Sequence, residues 1–269
     1  RPSSDAQAEL FKRVASDTLV TPDTWETALS SGADKGETFT RLMQEKKLGA
    51  LAFLRNLRNM TQSGVNTSLI REYAKTLDVS KVLPFRYIAA ARIVPEFEDM
   101  LEAMMFRSLE THAKIPGKTV LLIDVSGSMF GSKISAKSDL ERFDAAAALA
   151  ILCREICEEV EIYSFSGDAK KVAPRRGFAL IEAISTSQGH GGTYLGNAMK
   201  TVNSQSEYDR CIVFTDEQSS DRPAAPRGKG YIVNVASYQN GVNHNAWTEV
   251  NGFSEAVVDY IQALELEAA

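Results

Sequence analysis

Cysteine and histidine are scarce, three of each in 269 residues. That shortage excludes a disulfide framework, and the spacings exclude a structural zinc site. Cys153 and Cys157 stand four apart on a predicted helix, and Cys211 lies in a predicted buried strand. All three read as buried free thiols, which points to a reducing compartment and a cytoplasmic protein. No apolar run approaches the length of a membrane span, so no membrane partner is expected. The chain opens Arg1-Pro2-Ser3-Ser4, polar and without an initiator methionine. It carries no signal-peptide pattern there and reads as an excised fragment.

What is present is ordinary for a globular chain: 44% hydrophobic and 24% charged residues, with room for one large domain or two smaller ones. The net charge of −5 is unevenly spread. Residues 35–92 hold 11 Lys and Arg against 4 Asp and Glu, and so carry +7 on an otherwise acidic chain. Such a stretch serves either as solvated helix faces or as a surface for a polyanion.

The first part of the chain patterns as helices. They are expected over 5–18, after Thr21-Pro22-Asp23, over 35–46, between Gly49 and Gly64, and over 67–77, 84–94 and 96–110. Leu10, Phe11 and Val14 share one side of the first. Trp25 and Leu29 are the expected buried face of the second. Phe53, Leu54, Leu57 and Met60 stripe the fourth, with Arg55, Arg58 and Gln62 opposite. Residues 1–116 therefore read as an all-α helical-repeat segment. A linker is expected over 111–117. Residues 117–269 then alternate strand and helix. Strands are expected at 119–125, 160–165, 171–173, 210–215, 230–236 and 247–251, with helices at 139–157, 178–186, 194–204 and 254–266. That alternation predicts an α/β doubly wound, Rossmann-type parallel sheet.

The chemistry concentrates at two strand ends. Thr119-Val-Leu-Leu-Ile-Asp124 is a buried strand that stops in Asp124, Ser126 and Ser128, three oxygen-bearing side chains at alternate positions. Gly191-Gly192-Thr193 adds a hydroxyl, and Cys211-Ile-Val-Phe-Thr215-Asp216 ends a second strand in a carboxylate. Oxygen donors of this kind suit Mg²⁺, with Mn²⁺ or Ca²⁺ as alternatives, and an open coordination position would accept a partner's carboxylate. The competing reading is that both aspartates only cap neighbouring loops. Enzyme motifs fail on their letters. Gly117-Lys118-Thr119 lacks the earlier glycine of a phosphate loop, because His112 stands there, and Ser126 has no Gly-x-Ser-x-Gly elbow. A haloacid-dehalogenase-like phosphatase would need an acid where Ser126 stands. His190 reads as a rim residue beside Thr193.

The five residues Asp124, Ser126, Ser128, Thr193 and Asp216 resemble the metal-ion-dependent adhesion site of von Willebrand factor A domains. The resemblance implies that fold and a divalent cation held by those five side chains. A second resemblance lies upstream. Leu48-Gly-Ala-Leu-Ala-Phe-Leu-Arg55-Asn-Leu57-Arg58-Asn-Met60-Thr, then Leu83-Pro84-Phe85-Arg86-Tyr87, then the Phe97 to Leu101 helix, look like the later part of the TROVE module of Ro ribonucleoproteins. That family places a HEAT-like helical ring before a von Willebrand A domain. The resemblance implies a non-catalytic binder of small non-coding or misfolded RNA, with Lys47, Arg55, Arg58 and Arg86 as candidate RNA contacts. It also implies that earlier repeats of the ring are missing here. Phe85 and Tyr87 are read either as base-stacking platforms or as helix packing. The alternatives are a metal-dependent protein-interaction module without an RNA role, and a Mg-dependent phosphatase.

Overall fold

The structure, a computed structural model, describes residues 2–110, 112–134, 140–216, 218–236, 246–254 and 256–267. It divides into two compact units, residues 1–77 and 78–269.

The first unit is helical: α1 (Asp5–Ala15), α2 (Trp25–Ser30), α3 (Lys35–Gln44), α4 (Ala50–Gln62) and α5 (Thr67–Thr76). Side-chain oxygens of Ser4, Thr24, Asp34 and Asn66 cap α1, α2, α3 and α5. Its core is Phe39, Leu42, Met43, Phe53, Leu57, Met60 and Ile70, all buried. The Tyr73 hydroxyl reaches back to donate to Leu48 O at 2.8 Å and accept from Leu48 N at 3.3 Å, fastening α5 to the entry of α4. The stripe expected on α4 is buried as read. The apolar side of α1 is not: Leu10, Phe11 and Val14 are exposed, and Trp25 and Leu29 of α2 are only half-buried.

The second unit contains α6 (Pro84–Ile93), a 3-10 turn at Pro95–Phe97, α7 (Glu98–Leu109), β1 (Ile115–Asp124), a 3-10 turn at Gly127–Met129, α8 (Arg142–Ile156), β2 (Cys157–Phe165), β3 (Ala169–Lys171), α9 (Gly177–Ser185), α10 (Leu195–Gln205), β4 (Arg210–Thr215), β5 (Lys229–Asn234), β6 (Thr248–Asn251) and α11 (Val257–Glu267). The expected first residue of the α8 segment, 139, and residue 255 of the last helix lie outside the described residues. The sheet order is β3-β2-β1-β4-β5-β6. Every strand pairing is parallel except that of β2 with the short edge strand β3, which is antiparallel. The expected linker is shorter than read. Ile115-Pro116-Gly117 already belongs to β1, with a register shift between Ile115 and Lys118 that accommodates the proline. Cys157 likewise opens β2 instead of closing the helix.

The second unit begins after Leu77 because α6 and α7 pack onto α8 and α9. α8 explains this. Its Ala145–Ala148 run and most of its length are buried all round, as a helix must be when it lies between a sheet and a further helical layer. Polar ties reinforce the layer. Arg92 of α6 pairs with the buried Asp144 at the start of α8. Glu102 of α7 accepts from Phe178 N at 2.8 Å at the start of α9. Gly177 suits this turn: its φ is +56°, which strains other residues, and a Cβ would sit 2.1 Å from Glu102 Oε1 and displace that side chain. On the other face of the sheet, Val120, Leu122, Val213 and Ile232 pack with Leu195, Ala198, Met199 and Val202 of α10.

Candidate metal centre and basic helix face

β1 lies between β2 and β4, so strand order reverses at the carboxyl ends of β1 and β4. That is where a doubly wound sheet opens a crevice. Asp124 ends β1 and is fully buried. Its Oδ1 accepts from Ser126 N at 2.8 Å, and its Oδ2 accepts from the Thr215 hydroxyl of β4 at 2.6 Å. Burial pushes its carboxyl up to about 6; bonds to Ser126 and Thr215 pull the other way, and the nearby charge of Asp216 adds to the rise. The hydroxyls of Ser126 and Ser128 stand 3.2 Å apart in the turn after β1.

Thr193 and Asp216 come in on neighbouring loops. The Gly191–Thr193 loop is docked on the first: Gly127 N donates to Gly191 O at 3.2 Å, and the His190 ring donates from Nδ1 to Val125 O at 2.8 Å. Ser166, beyond β2, clamps it from behind. Its hydroxyl accepts from Gly191 N at 2.9 Å and donates to Gly192 O at 3.1 Å. Ser220 N donates to Thr193 O at 2.8 Å, tying in the loop that follows Asp216. Asp221 completes the brace by accepting from Gly196 N and Asn197 N at the start of α10. Thr193 is buried, as are Ser126 and Asp216, while Ser128 is half-exposed.

Asp216 is fully buried. Its Oδ2 accepts from Arg142 at 2.6 Å, while among the described residues its Oδ1 has no hydrogen-bond partner. A buried carboxylate oxygen left without a partner is costly. Together with paired hydroxyls and a second carboxylate, it makes an oxygen donor set that fits a hard divalent cation. Among the described residues no three His, Cys, Asp or Glu side chains gather where they could hold a metal ion. His190 is an exposed rim residue with its ring 4.2 Å from that of Phe130. Arg142, Thr215, Ser166 and Asp221 went unrecognised in the sequence; only the strand pairing and loop docking bring them in.

The candidate RNA contacts differ in their surroundings. Arg55 and Arg58, three apart on α4, are exposed on the face opposite its buried stripe. Lys47 is exposed but already engaged: Asp23 lies 2.8 Å away and Glu45 2.8 Å. Arg41 joins the same network through Asp23. Arg86 belongs to the second unit, exposed, with its guanidinium 4.5 Å over the Phe85 ring. Phe85 packs edge-on against Phe253 at 5.4 Å, and Tyr87 is fully buried. Tyr87 is therefore a packing residue and presents no face to a base. Among the described residues, no helix is long and apolar enough to cross a membrane.

Comparison with known proteins agrees with this architecture. The TROVE domain model matches residues 13–154, and the von Willebrand factor type A domain model matches residues 119–219. The crystal structure of the Ro (RSR) protein from Deinococcus radiodurans superposes with a TM-score of 0.65 at 20% identity, covering 86% of this chain and 55% of that one. This chain thus spans about half of that protein's length. An aerotolerance-related membrane protein from Bacteroides fragilis (16% identity, TM-score 0.43, 56% of this chain and 99% of that one) is more remote. The conserved hypothetical protein BatB from Bacteroides thetaiotaomicron (17%, 0.39, 56% and 98%) is more remote still. The TROVE match runs over more than half of the chain, and the chain belongs to the TROVE domain family, its helical region followed by a von Willebrand factor A domain.

Proposed function

We propose that this chain is a non-catalytic, RNA-binding component of a Ro-like ribonucleoprotein, and that its A domain holds a divalent cation, Mg²⁺ for preference, through Asp124, Ser126, Ser128, Thr193 and Asp216. The observation that carries the RNA reading is the order of the two matched families, TROVE and then von Willebrand A, on a fold shared with a Ro protein. The exposed pair Arg55 and Arg58 supports phosphate contact on α4. Lys47, held by two carboxylates, is the weaker candidate, and Arg86 lies on α6 of the second unit. The cation reading is supported by the oxygen donor set and by Asp216 Oδ1, which has no hydrogen-bond partner among the described residues. Its open coordination position would take a carboxylate from a protein partner. The reducing compartment read from three buried free thiols fits a cytoplasmic protein.

The test is the affinity of the chain for a short unstructured RNA at several salt concentrations, beside the Arg55→Gln/Arg58→Gln variant. Binding should weaken as salt rises. The variant should bind less tightly, with a salt slope shallower by roughly 1.4, the value for two phosphate contacts on a single strand. Identical slopes would exclude this face. No RNA binding at low salt would favour the protein-interaction module.

A further inference from the structure

We propose that the furrow between α6 and α9 is a docking groove for a basic amphipathic helix of a partner protein, one that carries apolar side chains beside arginine or lysine. The furrow is built by the second unit alone, from residues that take no part in the cation site.

α6 and α9 both rest on α8, and a cleft of about 430 Å³ is left between them. Its walls are two helix faces. Ile88, Ala91 and Arg92 of α6, with Pro95 just beyond, stand at i, i+3, i+4 and i+7. Phe178, Ile181, Glu182 and Ser185 of α9 repeat that spacing. Ile88 and Ala91 are buried, whereas Phe178 and Ile181 are only half-buried. Apolar rows at helical spacing are what a further helix meets when it lies in a groove, anchored by its own side chains at the same spacing.

Charge then selects the occupant. Arg92 is committed to the buried Asp144 at the start of α8. Glu98 of α7 and Glu182 of α9 also line the cleft, and both are exposed. Among the described residues their carboxylates have no hydrogen-bond or ion-pair partner. Neither has a Lys or Arg three or four positions away on its own helix. Two such carboxylates, on different helices of an apolar cleft, attract a cation carried on an apolar body and repel the phosphates of RNA. Phe178, one turn before Glu182, adds an aromatic surface suited to a guanidinium.

The probe is an alanine-based peptide of about 15 residues, long enough to form a helix. It is acetylated and amidated, with leucine at i, i+3 and i+7 and arginine on the flanks. Fluorescence anisotropy with the full chain in EDTA, which silences the cation site, compares it with two controls: leucines replaced by serine, and arginines replaced by glutamate. The leucine–arginine peptide should bind wild type, and both controls should bind at least about tenfold more weakly. Glu98→Gln/Glu182→Gln should bind it about tenfold more weakly than wild type, as expected for the loss of two exposed charge pairs. In heteronuclear NMR the peptide should shift the amides of residues 178–185. No binding to wild type would overturn the proposal, as would equal affinity for wild type and the double variant. Shifts of those amides by a short unstructured RNA in place of the peptide would also overturn it. The comparison among peptides stands even if the double variant does not fold.

Discussion

The Thr215 hydroxyl donates to Asp124 Oδ2 at 2.6 Å, joining the carboxyl ends of two neighbouring strands that are 91 residues apart in the chain. Both groups are buried, so the bond satisfies a carboxylate oxygen that water does not reach. Thr215→Val keeps the shape and removes the donor. It should lower stability by about 1–3 kcal/mol in urea unfolding without Mg²⁺. An unchanged midpoint would show that the hydroxyl does not support Asp124.

Asp124→Ala and Ser126→Ala should each abolish tight Mg²⁺ or Mn²⁺ binding while far-ultraviolet circular dichroism stays that of wild type. The first removes a carboxylate at the end of β1 and the second a hydroxyl in the turn beyond it, so neither deletes a ladder bond. Calorimetric titration decides it, and unchanged affinity in both variants would remove these residues from the site.

Ser126 stands where a phosphatase of the haloacid-dehalogenase kind places its general acid. The only basic group bonded to Asp216 in the described contacts is Arg142, a guanidinium that does not give up its proton. With Mg²⁺ and an aryl phosphate, the purified chain should show no turnover above background. Turnover that disappears in Asp124→Asn would establish an enzyme instead.

Arg210 of β4 is buried and pairs through two nitrogens with Glu265 of α11, at 2.9 and 2.6 Å. Burial alone would raise the Glu265 carboxyl, but the bonds and charge of Arg210 outweigh it and hold it below the ordinary glutamate range. A carboxylate lowered in the folded state contributes stability above its unfolded value near 4.5. That contribution is lost as pH falls through the folded value. Glu265→Gln should therefore cost roughly 3–5 kcal/mol at pH 7, since it leaves Arg210 buried without its counter-charge. The gap between wild type and variant should narrow below about pH 4. Chemical denaturation at several pH values measures both.

Much of this architecture was legible in the letters because its causes are local. A buried parallel strand needs an unbroken β-branched run, so Thr119–Asp124 and Cys211–Thr215 declared themselves, and the abrupt change to Asp, Ser and Ser marked a site at the strand end. The apolar stripe of α4 was equally plain, because helical period alone puts Phe53, Leu57 and Met60 on one side. The stripe of α1 shows the limit: period places Leu10, Phe11 and Val14 together, but only a packing partner buries them, and they stay exposed.

What the sequence by itself determined was thus the kind of each element and the chemistry at the ends of β1 and β4. Tertiary structure decided allegiance and partners. The Ala-rich α8 recruits α6 and α7 because a helix buried on every side needs a second layer, so both helices belong to the second unit. Lys47, a candidate phosphate contact from the sequence, is paired by the fold with Asp23 across 24 residues. Arg142 lies 74 residues from Asp216, a pairing without local period or motif. Only the parallel order of the sheet, with α8 packed on β1 and β4, sets the guanidinium against that carboxylate.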